Sequence, residues 1–281
     1  MASGKLTITS PRQKKKKGEK TTMLTAYDYP FAALLDAAGI DMILVGDSAA
    51  NVVLGYPDTI PITMDELIVL TRAVSRAVKR ALVIGDMPFG STNASIEDAI
   101  RNATRFMKEG GTDAVKLEGG GSVVRTVEAL VKAGIPTVGH LGLTPQTAGM
   151  MGGYRLQART AEAAAELIRD ALKLQDAGAF LLVVECIPSG VTEVLTKKVD
   201  IPVIGIGAGP ACDGQVLVLH DMLGIKSGYD PKFVKKYACL GEDILKALTT
   251  YRQEVESGAF PTPDHSFAAE DEEIEKLKKL L

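Results

Sequence analysis

The chain has 281 residues, of which 46% are hydrophobic and 24% charged, enough to bury a large core in one barrel-sized domain. With 35 acidic and 32 basic side chains the net charge is −3, which argues against a broad phosphate-binding surface and makes nucleic acid a poor partner. Cys186, Cys212 and Cys239 are widely spaced with no C-x-x-C pair, and no apolar run approaches the roughly 20 residues that span a bilayer; a reduced, soluble, cytoplasmic protein is expected.

A basic run near the N-terminus, PRQKKKKGEK (11–20), is expected to be a solvated N-terminal segment, with a targeting or nucleic-acid role as the alternative. Eight apolar runs of strand length follow: TTMLTAYD (21–28), MILVGD (42–47), ALVIGDMP (81–88), AVKLEGG (114–120), PTVGHLG (136–142), FLLVVECIP (180–188), PVIGIGAG (202–209) and QVLVLHDMLG (215–224). Segments of helical period lie between them, among them PFAALLDAAG (30–39), SIEDAIRNATRFMKEGG (95–111), VVRTVEALVKAG (123–134) and TAEAAAELIRDALKLQDAG (160–178). Near-continuous apolar strands alternating with helices predict a parallel sheet covered on its outer face, and eight units predict a closed (β/α)8 barrel.

Gly39, Gly111, Gly134 and Gly178 stand where helical patterns stop, and each predicts a positive φ followed by a short turn into a strand. The segments after the strands are longer: 48–63 precedes a helix expected near Met64, and 143–159 one near Thr160. Long loops at the C-terminal ends of strands are where barrel enzymes build their sites. The chain closes on EDEEIEKLKKLL (270–281), read as an amphipathic surface or subunit-packing helix. The expected organisation is a single barrel with its N-terminal segment over 1–267 and a charged helical extension over 268–281.

Five consecutive strands end in polar or ionisable groups: Asp47 and Ser48, Asp86, Lys116 and Glu118, His140, and Glu185. Acids embedded in LVGD, VIGD and LVVE are poorly explained as surface ion pairs, because the residues before them must be buried. Asp47, Asp86 and Glu118 would repel one another in a confined barrel mouth unless a cation shares the space. Hard oxygen donors without a His or Cys cluster point to Mg²⁺ or a similar ion rather than zinc. Lys116 admits two compatible readings, a charge for an anionic substrate or a salt bridge that holds Glu118. For His140 alone, a structural role competes evenly with a functional one. The apolar setting of Glu185 suits a general base, removing a proton from the carbon beside the carbonyl of a metal-bound 2-oxo acid while the metal stabilises the enolate. GIGAG (205–209) admits phosphate binding or close packing, and GGG (119–121) is expected to let the backbone pass close to a ligand.

LTAYDYPFA, LVGDSAANVVLGYPDTIPIT, VKLEGG, VGHLGLTPQ, GGYRLQAR, VVECIP, IPVIGIGAGPACDGQVLVLHDMLG and PDHSF occur in this order, and together they closely resemble the ketopantoate hydroxymethyltransferase family from about residue 5 to 267. The resemblance implies a TIM barrel of the phosphoenolpyruvate/pyruvate-binding type. It further implies transfer of a one-carbon unit from 5,10-methylenetetrahydrofolate to 3-methyl-2-oxobutanoate for pantothenate and coenzyme A synthesis, with Mg²⁺, usually in a decamer. By motif, Asp47 and Asp86 match metal ligands that also contact substrate, with Glu118 near or on the metal. Ser48 and Lys116 match groups that hold the oxo acid, His140 a residue lining its pocket, and Glu185 the catalytic base. SAANVV and PFGST depart from the commoner family forms, which implies altered loop packing without loss of a ligand, and the segment after PDHSF has no assigned counterpart. The competing readings are a metal-dependent C–C lyase of the isocitrate lyase and phosphoenolpyruvate mutase type, disfavoured because a K-K-C-G-H loop is missing, and a noncatalytic barrel, disfavoured because every rim position is filled.

Overall fold

The computed structural model describes residues 4–225 and 231–281. They form two compact units, one of 4–222 with 231–235 and the other of 223–225 with 236–281.

The first unit begins with helix α1 (Ser10–Lys17), which has Pro11 in its first turn and is closed by Gly18 in the left-handed region. Strand β1 (Thr21–Thr25), α2 (Tyr29–Ala37), β2 (Met42–Val45), a short α3 (Ala49–Val52), α4 (Met64–Ala77) and β3 (Leu82–Asp86) follow. Next come α5 (Ile96–Arg105), widened into a π-turn over Phe106–Gly110, then β4 (Ala114–Glu118), α6 (Val123–Lys132) and β5 (Thr137–Gly142). The unit continues with α7 (Ala161–Asp176), β6 (Leu181–Glu185), α8 (Ser189–Lys198), β7 (Val203–Ile206), β8 (Gly214–Leu217) and α9 (Leu219–Leu223), whose last residue passes into the second unit. All eight strands are parallel and close into a barrel, with β1 paired to β8 in the register Thr21↔Gly214.

Helix starts carry their chemistry locally. Thr63 caps α4 in a reciprocal capping box with Glu66, and Ser95 and Thr160 accept backbone N–H groups at the starts of α5 and α7. Gly39, Gly111, Gly134 and Gly178 all have positive φ, as their positions at helix ends require. The departure SAANVV forms α3, with Ala49 and Ala50 fully buried, so small side chains suit this turn beside the barrel mouth.

The barrel interior is filled by alternate strand residues: Met42 and Leu44, Leu82 and Ile84, Leu181 and Val183, Ile204 and Ile206, with single contributions from Met23, Ala114, Val138 and Val216. Intervening residues face the helices, and glycine there admits a bulky neighbour. Phe106, fully buried, packs against Gly85, and Leu174 against Gly139.

The strand and helix alternation fails at one place. Residues 207–213 join β7 directly to β8 with no intervening helix, and beside them lies a cavity of about 540 Å³ lined by Gly207, Gly209, Cys212, Gln215 and Phe233. The last expected strand, 215–224, is also shorter than its apolar pattern, because from Leu219 the chain turns into α9.

The basic run is not a solvated tail. The Lys14 ammonium donates to Asp41 Oδ2 at 2.6 Å, and Lys20 to the Cys212 carbonyl. Lys15 reaches the carbonyls of Thr196, Val199 and Ile201 at 3.2, 2.9 and 2.9 Å, and lies 3.1 Å from Asp213 Oδ2. These acceptors lie at the end of α8 and just before β2, β7 and β8, where unpaired helix carbonyls and acids concentrate negative potential. The lysines therefore fasten α1 across the N-terminal end of the barrel.

The second unit contains α10 (Leu240–Ser257), ended by Gly258 with φ 75°, and α11 (Asp271–Leu280). No helix among the described residues is long and apolar enough to cross a membrane.

Candidate active site

Strand parity determines which side chains reach the mouth. Continuing the lumen-facing positions by two residues leads from Ile84 to Asp86, from Ala114 to Lys116 and Glu118, from Val138 to His140, and from Val183 to Glu185. Asp47 is out of phase with Met42 and Leu44; it reaches the cluster because β2 ends at Val45 and the chain turns at Gly46. Its own N–H donates to Asp86 Oδ2 at 3.2 Å, which locks this turn to the neighbouring strand end.

Each of Asp47, Asp86 and Glu118 offers a carboxylate oxygen, and these oxygens lie within 4.8 Å of one another. Lys116, 3% exposed, sits among them, 2.5 Å from Asp86 Oδ1 and 3.2 Å from Glu118 Oε1. His140 Nδ1 lies 3.2 Å from the same Glu118 oxygen, and its Nε2 faces Glu185 Oε2 at 3.3 Å, an ion-pair distance without hydrogen-bond alignment. The structure thus brings together every site residue expected from the sequence, including Ser48, whose Oγ is 2.8 Å from the Tyr27 hydroxyl.

The electrostatics are unbalanced in a way a cation would correct. Burial, then Asp86 and Glu118, push the Asp47 carboxyl well above its ordinary value. Asp86 is raised by burial despite Lys116 beside it. For Glu118 burial acts upward too, but Lys116 and His140 outweigh it and bring the pKa down to about 2. Burial lowers the His140 pKa, yet Glu118 prevails and raises it to about 9. Lys116 is held in its charged form by the three surrounding carboxylates against the cost of its burial. Asp47 and Asp86 are thus the carboxyls whose ionisation the metal-free mouth resists, a cation beside them would favour their charged forms, and hard oxygen donors at this spacing suit a small divalent ion. Because Glu118 already accepts from Lys116, His140 and the Gln146 backbone N–H, Asp47 and Asp86 are the freer ligands.

Glu185 differs from its expected apolar enclosure. Its side chain is 15% exposed and looks across to His140 rather than back into FLLVV. Its backbone is tightly set: the carbonyl accepts Leu143 N–H at 2.8 Å, Gly142 has φ 93° where a Cβ would collide with that carbonyl, and Cys186 adopts a left-handed φ of 47°.

Charge-based reading of the sequence misses three neighbours. Gln146, buried, donates from Nε2 to Asp47 Oδ2 at 2.9 Å and to the Met87 carbonyl at 3.0 Å. Tyr27, buried, orients Ser48. Tyr154, on the loop after β5, has its phenol pKa raised by partial burial and then by Asp58, Asp47, Glu185 and Glu118. The motifs TAYD, LTPQ and GGYR contain all three, but uncharged side chains gave no signal of their own.

Two glycine runs make room for protein. At Gly120 a Cβ would strike the Asp170 carboxylate of α7 and at Gly119 it would crowd Val123 of α6, so these two glycines of GGG admit helices, while Gly121 faces open space. In GIGAG, Gly205 faces Cys212, Gly207 faces Phe233 and Gly209 faces Ser189, which supports the close-packing reading.

A model of the family described as ketopantoate hydroxymethyltransferase matches residues 5–263. A 3-methyl-2-oxobutanoate hydroxymethyltransferase of Syntrophobacter fumaroxidans is 55% identical over 274 residues, covering 97% of each chain. Its namesake in Heliobacterium modesticaldum is 54% identical, covering 95% of this chain and 97% of the relative. The namesake in Acetivibrio thermocellus is 51% identical and covers 98% of both. That coverage leaves too few residues unmatched to exclude all of 268–281, so the terminal segment does have counterparts among relatives. Among solved structures, phosphonopyruvate hydrolase in complex with oxalate and Mg²⁺ superposes with a TM-score of 0.62 at 13% identity, covering 98% of this chain and 96% of its own. A 2,3-dimethylmalate lyase of the phosphoenolpyruvate mutase/isocitrate lyase superfamily superposes with a TM-score of 0.58 at 14% identity, covering 98% of this chain and 99% of its own. At such identity these structures speak for the fold alone.

Proposed function

Because the chain belongs to the ketopantoate hydroxymethyltransferase family, we propose that it transfers a hydroxymethyl group from 5,10-methylenetetrahydrofolate to 3-methyl-2-oxobutanoate, yielding ketopantoate for pantothenate synthesis. The observation that carries this reading is the joining of the Asp47, Asp86 and Glu118 carboxylates to Glu185 through one imidazole on one rim. Asp47 and Asp86 would hold Mg²⁺, with Glu118 at its edge. When bound, the ion would draw electron density from the substrate's oxo group and offset the charge developing there.

The remaining work falls to the protein. Ser48, held by Tyr27, and Lys116, held by Asp86 and Glu118, present a hydroxyl and an ammonium to the carboxylate of the oxo acid. Glu185 accepts the proton from C3 of the substrate. The electron pair left at C3 forms the new bond to the methylene carbon of the folate; both bonds from that carbon to nitrogen break, water supplies the product hydroxyl, and the two nitrogens take up one proton from that water and the one accepted by Glu185. His140 keeps the Glu185 carboxylate facing the cluster and offsets its charge when it approaches the substrate.

Assembly as a homo-oligomer, a decamer by family resemblance, is supported by Ile244, Leu245, Leu248 and Tyr251, which stand exposed on α10. A cytoplasmic location is supported by the free thiols of Cys186, Cys212 and Cys239. The lyase alternative is supported only by a shared fold.

The test is proton NMR of 3-methyl-2-oxobutanoate in D₂O with the protein. Loss of the C3–H signal that requires Mg²⁺, and hydroxymethylated product on addition of tetrahydrofolate and formaldehyde, are expected. Absence of both would overturn the assignment.

A further inference from the structure

We propose that Gln146 is a positioning residue that presets two carboxylates for the divalent cation and ties the loop after β5 to that site; the inference rests on the cation reading given above. Gln146 reaches three other strand ends at once. Its Nε2 donates to Asp47 Oδ2, after β2, at 2.9 Å and to the Met87 carbonyl, after β3, at 3.0 Å, while its backbone N–H donates to Glu118 Oε2, on β4, at 3.1 Å. The side chain is buried, so these bonds face little competition from water.

The orientation of the amide follows from its partners. Both atoms facing Nε2 are acceptors, and turning the amide over would set its own oxygen against a carboxylate and a carbonyl. With Oδ2 engaged, rotation of the Asp47 carboxylate is stopped and Oδ1 becomes the oxygen left for a cation. Glu118 is fixed from the opposite side, because Lys116 and His140 share Oε1 while Gln146 holds Oε2.

A neutral donor is required here. A second lysine or an arginine would orient the same carboxylates but cancel the negative charge that attracts the ion, whereas an amide orients without neutralising. Gln146 also follows Pro145 in a one-turn 3-10 helix, Pro145–Thr147, whose fixed backbone directs the N–H at Glu118.

The test uses the full chain and Mn²⁺ followed by its electron paramagnetic resonance signal, comparing the unaltered protein with Gln146→Met, which keeps length and volume but donates nothing. The expected result is a 10- to 100-fold weaker Kd for Mn²⁺, with kcat for hydroxymethyl transfer largely recovered at saturating metal and the variant still melting as a folded protein without metal. Gln146→Asn, whose shorter amide cannot span Asp47 and Met87, serves if the methionine variant folds poorly, and the same loss of affinity is expected. An unchanged Kd in folded variant protein overturns the role of Gln146 alone, as does a lowered metal-free midpoint with unaltered Kd. No saturable Mn²⁺ binding to the unaltered protein overturns the cation reading and this inference with it.

Discussion

His140 Nε2 stands 3.3 Å from Glu185 Oε2, while Nδ1 of the same ring stands 3.2 Å from Glu118 Oε1, so one imidazole spans the carboxylate cluster and the isolated acid. Glu185 can thus act on a molecule held at the cluster while its charge is answered by a neighbour. Glu185→Gln keeps the size of the side chain and removes its ability to accept a proton. Deuterium exchange at C3 of the oxo acid should fall by about 10²- to 10⁴-fold, with Mn²⁺ affinity nearly unchanged. Exchange at the unaltered rate would place the base elsewhere.

Lys116 is enclosed by the carboxylates it balances. Removing its charge in Lys116→Met leaves Asp86 and Glu118 without their buried partner, and a loss of about 3–5 kcal/mol is expected in metal-free protein. Divalent cation should restore part of it, because the ion answers the same charge. Urea denaturation with and without Mg²⁺ measures both quantities, and equal stability of variant and unaltered protein in both conditions would contradict the electrostatic account.

At the opposite end of the barrel, Lys15 binds three carbonyls and Asp213 with its side chain only 17% exposed. Lys15→Met should cost about 1–3 kcal/mol by leaving those acceptors unsatisfied. Its kcat and KM should match those of the unaltered protein, since the site lies at the other end of the strands. A selective loss of activity without loss of stability would show that α1 acts on the mouth.

Asp36 gives a prediction with a definite sign. Burial opposes its ionisation, but the backbone N–H groups of Lys79, Arg80 and Ala81 prevail and hold the carboxyl below its ordinary 3.8. A folded pKa lower than the unfolded one contributes stability above the unfolded value, and that contribution is lost as pH falls through the folded one. Asp36→Asn should therefore be less stable than the unaltered protein at pH 7, with the gap narrowing as pH falls below the ordinary carboxyl value of 3.8. Denaturation midpoints across that range check it; a gap that widens in acid would reverse the sign.

Gly85 lies on the outer face of β3, directly before Asp86, and Phe106 occupies the space a side chain would take. Gly85→Ala should force that ring or the strand aside at a cost of about 1–3 kcal/mol. Because Asp86 is adjacent, Mn²⁺ affinity should fall as well. Calorimetry combined with metal titration separates the two effects, and an unchanged melting midpoint would mean that Phe106 has somewhere to go.

The barrel and most of its rim were legible in the sequence because both follow from a period of two. Once Ile84, Ala114, Val138 and Val183 face the lumen, Asp86, Lys116, His140 and Glu185 must follow them out of it. What escaped has causes at a distance. The partners of Lys15 are carbonyls, which no side-chain pattern marks. Gly120 yields to Asp170, fifty residues further on, and a glycine cannot announce what will lie beside it. The missing helix between β7 and β8 was obscured by GIGAG, where glycines suggested a ligand loop although the chain was turning straight back into the sheet. Gln146 carries no charge, and a search for unbalanced charge passes over the amide that sets its geometry.

The contacts of Lys15 lie 181, 184 and 186 residues further along the chain, and β1 closes the barrel only against β8. On the ribosome, α1 and β1 must therefore wait for nearly the whole barrel to be synthesised before these native neighbours exist. Such distant pairing slows folding and leaves early segments open to wrong associations. Until α8 and the last two strands exist, Lys15 has none of these acceptors, so its contacts are among the last of the fold to form.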